Sequence, residues 1–135
     1  MMKDVWNMIQ FTLTLIGGWI GWFLGGMDGL IYALIAFVAI DYLTGVMCAI
    51  DDCTLSSEVG FRGICRKMLI FCLVAIGHII DSTVIQSGST FRTAVIFFYL
   101  SNEGISILEN AGHLGLPIPK KLKTILEQLD EEDDE

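Results

Sequence analysis

The chain has 135 residues, 53% of them hydrophobic, with a mean hydropathy of +0.63; a water-soluble domain of this size cannot hide that much apolar surface, so lipid is its expected solvent. The formal net charge is −8, but six of the 16 acids fill residues 130–135, so the acidity belongs to a tail. With that balance and only short basic clusters, nucleic acid is not an expected partner.

Four apolar stretches, near residues 5–26, 29–50, 68–86 and 93–108, each approach the roughly 20 residues that a helix needs to cross a bilayer core of about 30 Å. They predict an all-α membrane protein. Residues 1–112 form a bundle of about four transmembrane helices, and residues 113–135 form a short cytoplasmic amphipathic helix and an acidic tail. Seven of the 8 Lys and Arg residues fall in alternate gaps: Lys3 before the first stretch, Arg62, Arg66 and Lys67 before the third, and Lys120, Lys121 and Lys123 after the fourth. The positive-inside rule then places both termini and the middle loop in the cytoplasm, with the two later clusters as basic anchors.

The first stretch opens on Met1-Met2-Lys3-Asp4, without the features of a cleaved signal, and reads as a retained span. Gly17, Gly21 and Gly25 recur every four residues, a spacing that lets another helix approach closely. Packing within the chain and self-association between copies are both open. The second stretch carries Asp41 on a face shared with Thr44, Gly45, Cys48 and Asp52, Gly45 being the small residue for helix packing.

Residues 51–67 read as a cytoplasmic loop in which Ser56 or Ser57 caps a short interfacial helix, Gly60 and Gly63 arguing against a long one. His78 and Asp81 then share a face of the third stretch. In the fourth, Arg92, Tyr99, Glu103, Ser106 and Asn110 trace a polar stripe. A charge near a bilayer centre costs roughly 2.5–3.5 kcal/mol by insertion scales, so Asp41, Thr44, His78, Asp81, Tyr99, Asn102, Glu103, Ser106 and Asn110 are candidates for a polar seam or a wet lumen. The alternative is structural: Asp41 and Asp81 pair with Arg66, Lys67 or Arg92 and fix helix register.

Beyond Pro117 and Pro119, Leu122, Ile125, Leu126 and Leu129 fall at helical spacing. The lysines at the front of this amphipathic helix and the acids at its back oppose the helix dipole, and suit anionic lipid on one side and water on the other. Cys48, Cys53, Cys65 and Cys72 have spacings unlike a zinc site and read as unpaired small hydrophobes, so no metal is expected. No phosphate-binding glycine loop, paired-histidine zinc motif or serine-hydrolase elbow occurs, and no nucleophile stands beside His78 and Asp81, so neither an enzyme nor a cofactor is expected.

Four ordered motifs add a resemblance. D-Y-L-T-G-V-M-C-A-I at 41–50, S-S-E-V-G-F-R-G-I-C-R-K at 56–67, F-F-Y-L-S-N-E-G-I-S-I-L-E-N at 97–110 and G-L-P-I-P-K-K-L at 115–122 together resemble the holins of Gram-positive bacteriophages, a family that includes the holin-like proteins of clostridial toxin loci. The resemblance implies a homo-oligomer in the host's cytoplasmic membrane that opens lesions for an endolysin or a toxin, with no catalytic residues. Its motif positions include Asp41, Thr44, Gly45, Arg62, Arg66, Lys67, Asn102, Glu103 and Asn110. The competing expectation is a small four-helix ion channel or proton-coupled transporter in which Asp41, Asp81 and Glu103 bind a cation or proton.

Overall fold

The computed structural model describes residues 1–131; the end of the acidic tail, residues 132–135, lies outside the described residues. Five α-helices follow one another: α1 (Met2–Phe23), α2 (Gly29–Asp51), α3 (Ser57–Ile79), α4 (Thr90–His113) and α5 (Lys120–Glu131). No strand occurs among the described residues. Two of these helices, α2 and α3 with its extension to residue 85, are long and apolar enough to cross a membrane. The expected count of four spans is therefore met only in part.

Local chemistry sets the helix boundaries. The Asp28 carboxylate accepts a hydrogen bond from Ile31 N at 3.0 Å and caps α2; Ser56 Oγ accepts from Val59 N at 3.1 Å and caps α3. The serine cap matches the sequence reading, but the helix behind it is not short. The connection after α2 closes by Ser57, and α3 runs unbroken to Ile79 before a π-helical extension over Ile80–Ile85. Gly60 and Gly63 do not interrupt it because they are used for packing: a Cβ at Gly60 would stand 3.3 Å from Tyr42 Oη, and one at Gly63 3.2 Å from the Tyr42 ring. The helix propensity lost at two glycines is offset by bringing α2 and α3 close enough for Tyr42 Oη to donate to Gly60 O at 3.3 Å.

The core is built by α2, α3 and α4 around Ile31, Leu34, Val74, Ala75 and Ile96, all fully buried. Gly77 sets the closest approach in it, since a Cβ there would meet the backbone of Arg92 at 3.0 Å. By contrast, α1 joins the core only through its last turn, at Phe23 and Leu24. Trp6, Phe11, Leu13 and Trp19 stand exposed along it. Gly17 and Gly18 face nothing within 4 Å, and Gly21 meets only Met27 of the following turn. Gly25 does not continue the glycine face, because α1 ends at Phe23 and Gly25 lies in the turn. Its φ of +88° and the side chains of Arg92 and His78, 2.7 Å from where a Cβ would stand, both demand glycine.

The amphipathic C-terminal helix is present, but packed. Ser101 Oγ of α4 donates to Leu126 O of α5 at 2.6 Å, and the Leu126 side chain fills the notch at Gly104.

Candidate functional site: an ionic triad inside the bundle

Asp41, Lys67 and Glu103 stand on three different helices, each ten residues from the helix end nearest the α2–α3 connection. At 1.5 Å rise per residue they share a level about 15 Å inside that end. There the Lys67 ammonium donates to the Asp41 and Glu103 carboxylates together. The lysine side chain is 19% exposed and each acid 9%. Lys67 is thus no surface anchor. Reading it with Arg62 and Arg66 as a cytoplasmic cluster failed because the helix starts eleven residues before the apolar run at 68, which carries Lys67 into the bundle.

The triad is extended on its α2–α4 side. Asn110 Nδ2 donates to Asp41 Oδ1 at 3.1 Å and to Thr44 Oγ1 at 2.9 Å, while Thr44 donates to Ile40 O at 2.9 Å. Gly45 lies next to this group, with Asn110 Nδ2 3.9 Å from where its Cβ would be. Among the described residues every buried side-chain nitrogen and oxygen has a partner, as an apolar environment requires. Two open grooves flank the triad: one of about 240 Å³ includes Tyr42, Ser106 and Asn110, and one of about 580 Å³ includes Arg66, Tyr99, Asn102 and Glu109.

The remaining seam candidates form a separate cluster at the opposite end of the bundle. Asp81, 1% exposed, accepts from Phe91 N at 2.9 Å and Arg92 N at 2.8 Å, capping α4 from another helix because Ser89 makes no side-chain cap. The π-helical turn brings that carboxylate into place. Arg92 then closes the turn between α1 and α2: Nε donates to Leu24 O at 2.6 Å, Nη2 to Gly26 O at 3.0 Å, and Nη1 to the Asp28 carboxylate at 2.8 Å. These bonds hold the Asp28 carboxyl below its usual range, with the Arg92 hydrogen bonds the largest cause. His78 lies beside Gly25 in the same cluster. The stripe along α4 is therefore divided, Arg92 serving one cluster and Tyr99, Glu103, Ser106 and Asn110 the other. Sequence reading missed Asp28, whose signal was its position as a helix cap directly before an apolar run.

Asp51, Asp52 and His113 meet at the far end of α2 and α4, with ligand atoms within 4.8 Å of one another and all three exposed; His113 Nε2 lies 3.0 Å from Asp52 Oδ1.

Residues 18–131 match the bacteriophage holin family. The chain belongs to that family. Its relatives include an uncharacterised 14.9 kDa protein from the nagH 3′ region of Clostridium perfringens, 39% identical over 128 residues that cover 95% of this chain and 97% of the relative. An uncharacterised protein of Listeria monocytogenes is 40% identical over 88% of this chain and 84% of its own. A probable holin of Bacillus phage phi105 is 34% identical over 71% of this chain and 70% of its own. No solved structure matches. Holins are membrane proteins without an enzymatic reaction, and the apolar α2 and α3 accord with a membrane location.

Proposed function

We propose that this holin accumulates in the bacterial cytoplasmic membrane as a bundle of four spans with both termini cytoplasmic, oligomerises, and opens lesions through which an endolysin or a secreted toxin leaves the cell. The observation that carries the reading is the ionic triad. Two carboxyl groups share one ammonium about 15 Å inside a bundle whose outer surface is apolar. Such a group is costly while sealed in lipid and becomes favourable when the grooves beside it fill with water.

While the flanking grooves are dry, two carboxyl groups share one ammonium; an assembly that wets the grooves hydrates them, so charge burial favours opening once assembly begins. The free flank of α1, with Gly17 and Gly18 unobstructed, is the surface through which copies would meet. Lipid is then the first partner, a second copy the next, and the released enzyme needs no direct contact.

Induced expression in a bacterium, with and without a co-expressed endolysin, tests this. Lysis is expected on induction with the endolysin, together with escape of folded protein; sustained growth of the co-expressing cells with the holin present in the membrane would refute it. Reporter fusions at residue 135 and near Gly88 are expected on opposite sides, and finding them on one side would remove the four-span arrangement.

A further inference from the structure

Helix α5 runs back along α4, so that Leu126 lies against Gly104, nine residues or about 14 Å inside the end of α4. Buried Leu126, half-buried Leu129 packed against the core, and one hydrogen bond from Ser101 to the Leu126 carbonyl anchor it there. The opposite face of α5 carries Lys120, Lys123, Thr124 and Glu127 at helical spacing, all exposed. If α4 spans the membrane, the exposed Glu127 carboxylate stands at hydrocarbon depth with no cationic partner. That position is strongly unfavourable against lipid and ordinary against water. Without α5, the same flank of α4 presents Gly104 and Ser101, small residues that suit the approach of another helix.

We propose that α5 is the movable hydrophilic wall of the lesion. In the closed state it lies on the membrane surface, its lysines on anionic headgroups. In the open state it folds along α4, Leu126 enters the Gly104 notch, and the Lys123–Thr124–Glu127 face turns that flank toward water. The idea rests on the lesion-forming reading above and adds the segment that lines the lesion. Two leucines, with Leu122 and Ile125 left exposed, suit a reversible contact better than a permanent one, because few groups must be separated when the helix leaves.

The test uses the full chain with its four cysteines replaced by serine, reconstituted in phosphatidylglycerol–phosphatidylethanolamine vesicles loaded with fluorescent dextran. Gly104→Cys combined with Leu126→Cys allows α5 to be locked against α4 by an oxidant. Locking is expected to raise dextran release several-fold, with reductant reversing it, while Leu126→Glu, which cannot occupy the notch, is expected to lower release several-fold at equal protein incorporation. Release that falls on locking, or that is unchanged in Leu126→Glu, would overturn the proposal by making α5 a cover or a bystander. A cysteine-free parent that releases no dextran under any condition would remove the lesion reading itself, and this wall with it.

Discussion

Replacing Lys67 by methionine keeps an unbranched apolar stem as far as Cε but removes the ammonium that holds Asp41 and Glu103 together. Both carboxylates are then left only 9% exposed, on facing helices and without a cation. Breaking a buried ion pair by removing one partner typically costs about 3–5 kcal/mol, which is two to nearly four powers of ten in the folded-to-unfolded ratio. Ordinary interhelical hydrogen bonds in membranes average only about 0.6 kcal/mol, so the two bonds alone would account for roughly 1 kcal/mol. The larger figure therefore measures the uncompensated charge. Unfolding of the purified protein in detergent micelles by a denaturing detergent, followed by circular dichroism, separates the two cases. The triple variant Lys67→Met, Asp41→Asn, Glu103→Gln is expected to recover most of the loss, since no charge remains to be buried. A single-variant loss near 1 kcal/mol, or a triple variant no better than the single, would refute the view that charge compensation holds the triad.

Glu103→Gln and Asp41→Asn at matched expression are each expected to delay lysis, because both residues line the groove with Tyr99, Asn102 and Glu109, and unchanged timing in culture turbidity would make them packing residues. Gly77→Ala is expected to cost about 1–3 kcal/mol in the same unfolding assay, since its Cβ would meet the Arg92 backbone at 3.0 Å, whereas Gly17→Ala, with nothing within 4 Å, is expected to raise monomer stability by up to about 1 kcal/mol through helix propensity. Arg92→Ala is expected to speed amide exchange across residues 24–31, because it removes the donors to Leu24 O, Gly26 O and Asp28; protection equal to wild type would show the turn to be held by other contacts. The Asp28 carboxyl is held below its ordinary 3.8 in the folded state, so its contribution is fully present above pH 3.8 and lost as pH falls through the lower folded value; Asp28→Asn is expected to remove that acid-limb loss while leaving the pH dependence above 5 unchanged.

The helices, their caps and their apolar character are legible in the sequence because each is decided locally. Ser56 and Asp28 cap the helices that follow them through atoms three residues away, and hydropathy along a segment needs no knowledge of its neighbours. The acids at depth in α2 and α4 were visible for the same reason: a charge inside an apolar run stands out whatever it touches. Their partner was not singled out, because Arg66, Lys67 and Arg92 all stood open as the cation. Lys67 lies 26 residues from Asp41 and 36 from Glu103, and only the packing of α2, α3 and α4 at one level brings the three together. The same holds for Asp81, which looked like a neighbour of His78 on a seam but caps α4 through backbone N–H groups ten and eleven residues on. Glycine was read least well. Its spacing suggests a helix face, yet Gly25 serves a left-handed turn against Arg92, Gly60 and Gly63 admit Tyr42, and Gly104 admits Leu126. A residue without a side chain takes its meaning from what approaches it, and that is a property of the tertiary structure alone.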